Sequence, residues 1–160
     1  MKKVNILRLV LLMVVVLLTA LVAPAHVASW DDKITGGGQA INFSITVSAW
    51  TTEEGDAGQM EYSRSNLSMH AKVERVEIYY CNGNVAAVVA GPVDAQYDPD
   101  GYIPSNGDWM VVQILEGGVG SGDRVRVQVI WEEDVDAKFE TPECIFPGLI
   151  LDGNFNIRSK

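Results

Sequence analysis

Beyond an apolar leader, the chain alternates between apolar and polar residues. The stretch INFSITVSA sets Ile41, Phe43, Ile45, Val47 and Ala49 against Asn42, Ser44, Thr46 and Ser48. RVRVQVIW does the same, with Val125, Val127, Val129 and Trp131 on one face and Arg124, Arg126 and Gln128 on the other. Successive side chains of a strand point to opposite sides, so a period of two predicts strands with one face buried. QMEYSRS, NLSMHAKV, RVEIYYC, NVAAVVAGPV, WMVVQILE and LILDGNFNIRS read as further strands. Between them, EEGDAG, CNGN, DPDGYIPSNGD, GGVGSGD and FPG are rich in residues that reverse the chain. LSMHAKVERVE could form a helix, yet its valines and the Ile and Tyr that follow favour a strand.

The pattern predicts an all-β protein. It is an antiparallel meander of about eight strands, either a closed barrel or a two-sheet sandwich. The first strand is expected after the glycine triplet Gly36 to Gly38 and the last within LDGNFNI. Pairing these end strands would remove exposed edges. The inward residues Phe43, Ile45, Val47, Val112, Ile114, Val127, Val129 and Trp131 then either fill a packed interior or line the pocket of a ligand carrier.

The N-terminus changes the picture of where the protein works. A basic start, MKKVNILR, precedes the uncharged run Leu9 to Ala23 and then the small residues of PAHVAS. That order predicts a secretory signal over residues 1–29, with cleavage after Ala25 or Ser29, and a single all-β domain over 30–160. The rival is an uncleaved anchor, but the apolar run has 15 residues and a bilayer core asks for about 20. Removing the leader takes away Lys2, Lys3 and Arg8 and no acid. The remaining 9 basic residues then face 21 acidic ones, a formal charge of −12. Such a surface repels phosphate, which excludes nucleic acid and leaves the membrane a transient role through the leader. In an oxidising compartment the two cysteines, Cys81 and Cys144, are expected to form a disulfide.

Candidate chemistry is sparse. The spacing G-x-x-x-x-G from Gly117 to Gly122 matches a phosphate loop, but Asp123 and Arg124 follow where Lys and Ser or Thr are needed. A strand rather than a helix comes next, so no helix dipole would face an anion. The segment reads as a hairpin loop. His70 shares a strand face with Ser68 and Lys72, and no G-x-S-x-G turn supplies a triad nucleophile. The acid pairs Glu53–Glu54, Glu132–Glu133 and Asp134–Asp136 read as solvated, although two acids across a cleft would be the equipment of a glycosidase. Trp30, Trp50, Trp109 and Trp131, on which a sugar could stack, read as packing residues. Asp98, Asp100, Asn106 and Asp108 in DPDGYIPSNGD resemble the start of a calcium loop without the full EF-hand spacing. They are the candidate metal ligands, and no other cofactor is expected. The sequons at Asn42 and Asn66 would accept glycans in a glycosylating pathway, with Asn42 disfavoured by its place inside a predicted strand.

Several glycine-rich motifs carry a family likeness. They are GGG before the first alternating strand, GQMEY at Gly58 to Tyr62, GNVAAVVAG at Gly83 to Gly91, EGGVGSGD, and LDGNFNI near the C-terminus. Together they resemble the post-COAP domain of secreted bacterial proteins. The chain departs from that pattern at Val119, where a Glu-Pro pair is expected, and at Glu116, where Asp is expected. The resemblance implies an all-β extracellular module without a known enzymatic activity or cofactor, and it offers no functional residues to carry over. The expected function is therefore a secreted structural or interaction module, not an enzyme, with an extracellular protein or small ligand as partner. The alternatives are a small-ligand-binding barrel or, further off, a hydrolase.

Overall fold

The computed structural model describes residues 32–99, 108–117, 122–140, 149–150 and 152–159. The predicted leader, Trp30, Asp100, Asn106 and Cys144 lie outside these residues. Ten strands run in order: β1 (Asp32–Ala40), β2 (Phe43–Thr52), β3 (Gly55–Arg64), β4 (Leu67–Lys72), β5 (Arg75–Cys81), β6 (Asn84–Tyr97), β7 (Asp108–Leu115), β8 (Arg124–Trp131), β9 (Leu149–Ile150) and β10 (Asp152–Ser159). All pair antiparallel, as alternation predicts, but there are ten strands rather than about eight.

The glycine triplet accounts for one of the additional strands. It lies inside β1 instead of preceding it, and β1 pairs with both β2 and β10. Gly36 sits opposite Phe155 with φ +144°, and a Cβ there would lie 2.2 Å from the Asn154 carbonyl oxygen. Only glycine lets these backbones meet. The last predicted strand splits into β9, beside β8, and β10, beside β1.

Neither closed barrel nor separate sandwich describes the result. One ten-stranded sheet follows the order β10-β1-β2-β3-β4-β6-β7-β8-β9, with β5 attached to β6, and among the described residues it does not close by strand pairing. The long strand β6 serves two arms: its first part pairs with β5 and β7, its last part with β4. The change of partner falls at Gly91–Pro92, where a Cβ on Gly91 would lie 1.7 Å from the Lys72 carbonyl oxygen. LSMHAKVERVE is accordingly two strands, broken where the Val73 N–H donates to the Gly58 carbonyl and the Glu74 N–H to that of Ala90.

Inner faces of both arms share one core, containing Ile34, Ile45, Met60, Met110, Ile114 and Phe155 among others. Of the predicted inward set, Ile45, Val47, Val112 and Ile114 are buried in it, and Phe43, Val127 and Val129 pack against it. Trp131 is the exception at 51 % exposed. It ends β8 opposite Asp108, beyond the last core contact of that strand, and the chain leaves the sheet there.

A second cluster lies on the opposite face. After β8 the chain passes through a 3-10 turn (Glu132–Asp134) into a one-and-a-half-turn helix, α1 (Val135–Glu140). Val135 and Phe139, four apart and so on one helix face, pack with Val88, Ala90, Trp109 and Val111. Arg75 hydrogen-bonds Asp136 and holds its guanidinium 4.0 Å from the Phe139 ring centroid, tying α1 to β5. The central residues of β6 and β7 are thereby buried on both faces.

Where strands stop pairing, carboxylates take over. Asp123 accepts the N–H groups of Phe155 at 2.5 Å and Gly117 at 2.9 Å, and Glu116 accepts that of Ile157 at 2.7 Å. The outer edge of β10 is thus capped by side chains from the ends of the β7–β8 hairpin. On the edge of β5, Asp56 accepts the Val76 N–H at 2.7 Å. These bonds satisfy backbone donors that no neighbouring strand reaches.

Candidate functional site

The polar half of the alternation builds a site on the outside of the first arm. Pairing of β2, β3, β4 and β6 puts Ser44, Ser63, Ser68 and Tyr97 in one row across the sheet. Thr46, Glu61 and His70 form the next. Neighbouring strands stand about 4.8 Å apart, and like-facing residues of one strand about 7 Å apart. Both rows line an open depression of about 440 Å³, to which Tyr62, Met69 and Gln96 also contribute. The Tyr62 side chain belongs to the inner face, where it packs against the core and stacks on Phe43, ring centroids 5.4 Å apart.

A register shift between His70 and Ala71 gives the site its one fixed ionisable pair. The chain of β6 gains a residue there, and Asp94 presents its carboxylate to His70, Nδ1 to Oδ1 2.5 Å. With Nδ1 donating to Asp94, Nε2 is the ring atom available to a ligand. A triad would also need a serine at that atom. Ser68 stands two residues along the same strand, and among the described residues no serine hydroxyl is bonded to the ring. The arrangement holds an imidazole in place without delivering a nucleophile to it.

The other predicted site residues are scattered. Asp98 follows β6 and Asp108 opens β7, where it is 5 % exposed with Oδ2 unpartnered. Asp100 and Asn106 lie outside the described residues, so the proposed calcium set is seen only at its ends. No group of three or more His, Cys, Asp or Glu that could hold a metal occurs among the described residues. Cys81 is 1 % exposed at the end of β5, while Cys144 lies outside the described residues. The acid pairs occupy the β2–β3 turn and the start of the helical segment, exposed and apart. Trp109 belongs to the second cluster. Asn42 is not within a strand but in the exposed β1–β2 turn, and Asn66 is in the exposed β3–β4 turn.

The sequence reading missed Glu61, Asp94 and Tyr97. A signal for Asp94 exists, since it is a carboxylate directly after a run of apolar strand residues, but its partner is 24 positions away. The role of Asp123 was equally hidden. Read as a residue that would repel phosphate, it is a buried acceptor for backbone N–H groups. The segment it ends does join two paired strands, β7 and β8, with no helix after it. No protein-family model matches the chain, and no curated protein or solved structure matches it.

Proposed function

We propose that the protein is a secreted, non-catalytic β module that works by binding at its outer surface. The observation that carries this reading is the location of the open space. The inward side chains pack together as one core, and a depression of about 440 Å³ lies on the polar side of β2, β3 and β4. The runner-up, a hollow carrier, would require those inward residues to line a cavity instead. The leader, the acidic mature composition and the likeness to post-COAP domains belong to the same reading.

A Cys81–Cys144 bridge is part of it. Cys81 shares the face of β5 with Arg75 and Tyr79, the face α1 covers, and Cys144 follows α1 in the chain. The bridge would pin the segment after the helix onto the second arm and restrict the unfolded chain. Intact-mass measurement of the protein exported from cells expressing the full chain is the test. The expected product begins at His26 or Trp30 and is two daltons lighter than the reduced form. A product that keeps its leader, or that carries two free thiols, overturns the reading.

A further inference from the structure

We infer that the groove on β2, β3, β4 and the end of β6 binds a neutral carbohydrate chain, an inference that rests on the surface-binding reading above. Three features of the site select this ligand class.

The first is a flat apolar surface beside hydroxyls. Tyr97 is 62 % exposed at the groove wall. Its ring offers an apolar face with a polar tip, suited to a ligand whose own surface alternates C–H and O–H groups. The second is the balance of donors and acceptors. Ser44, Thr46, Ser63 and Ser68 can each donate and accept. Glu61 accepts, and His70 presents Nε2 with its ring held by Asp94. A ligand that meets all of these must itself donate and accept at closely spaced positions, which is the property of a polyol.

The third feature is charge. Glu61 lines the groove and Asp94 sits behind its one imidazole, bonded to His70, on a chain of formal charge −9. Phosphorylated, sulfated and uronic ligands are repelled. A peptide bound as an added strand is disfavoured because β2, β3 and β4 are already paired on both sides. The floor is made of strands and the imidazole is fixed, so little ordering is needed on binding. The volume, about 440 Å³, falls among small-ligand sites of about 300–1,000 Å³. Its openness to solvent suits part of a chain rather than an enclosed monosaccharide.

The test is calorimetric titration of the exported protein with cellohexaose, maltohexaose, xylohexaose and chitohexaose, with polygalacturonate as the anionic comparison. Saturable binding of at least one neutral hexasaccharide is expected, unchanged between low and high salt because the ligand is uncharged. Tyr97→Ala should weaken it about tenfold, as should Glu61→Gln with His70→Ala combined. Both variants change groove residues outside the core, and circular dichroism checks that they fold. Binding of none of the four, equal binding by Tyr97→Ala, or preference for polygalacturonate overturns the inference. Failure there with a correctly exported, bridged product leaves the surface-module reading standing; failure of export or bridging strikes that reading instead.

Discussion

β3 and β7 lie in the same sheet and have opposite relations to water. In β3, Met60 is buried while its neighbours Gln59 and Glu61 are exposed, so the strand separates core from solvent. In β7 every residue from Asp108 to Ile114 is buried, because the inner core takes Met110, Val112 and Ile114 while α1 covers the side of Trp109 and Val111. The difference shows how the molecule divides its work. The second arm spends both faces on stability, whereas the first keeps one face for solvent and can carry a binding groove there.

The comparison can be broken most severely where the arms join. Gly91→Ala places a methyl group against the Lys72 carbonyl, where backbone rather than a flexible side chain must move. We expect a loss of at least about 4 kcal/mol in urea unfolding, or no folded product. Met110→Ala, in the doubly buried strand, should destabilise by about 3 kcal/mol through the cavity it leaves. A loss below about 1 kcal/mol would mean that β7 is less tightly held than its burial implies.

Gln113 sharpens the contrast from the other direction. It is 1 % exposed on the α1 side of β7, and neither its amide nitrogen nor its oxygen has a partner. Gln113→Met keeps the shape and removes two desolvated polar atoms, so stability should rise by about 1 kcal/mol. Thr46→Val, the same polar-to-apolar exchange on the exposed face of β2, should change stability by less than about 0.5 kcal/mol.

The smallest effect depends on pH. Burial raises the Asp56 carboxyl above its usual value, against the opposing influence of the Val76 N–H it accepts. An acid with a raised folded pKa lends stability that is fully present below its unfolded value and lost as pH rises through the folded one. Asp56→Asn keeps an acceptor for Val76 and removes that loss. The variant should therefore gain on the parent as pH rises from below 3.8 toward neutrality. Parallel pH profiles of the two in urea would refute this.

Legibility in the sequence follows the same division between arms. β5 and β8 are legible to the residue and β4 to within one residue at either end, since their period of two reports one buried face; β2 runs three residues past its alternating stretch, and β3 starts four residues early, inside what reads as the turn EEGDAG. α1 was missed in EEDVDAKFE, although acids in its first turn, Lys138 in its last and the Val135–Phe139 spacing are helix signals. A helix this short is marginal on its own, and packing over β6 and β7 makes it sufficient. At the candidate site, Ser44 with Thr46 and Ser68 with His70 were each legible as the polar face of a separate strand. The His70–Asp94 pair was not, because it depends on a shift in register between two strands.

Local sequence thus determined that the chain forms antiparallel strands and which side chains of β2, β3, β4 and β8 turn inward. Backbone alternation is a property of each strand alone, so it leaves its trace in consecutive residues. Tertiary structure decided that the glycine triplet would be a strand beside Phe155, and that β6 would change partners near Gly91 to serve two arms. It also decided that Asp56, Glu116 and Asp123 would cap edges left without a strand, and that polar residues of four strands would share one groove. Each of these outcomes is a meeting of positions distant in the chain, and such meetings are set by the packing of the whole sheet.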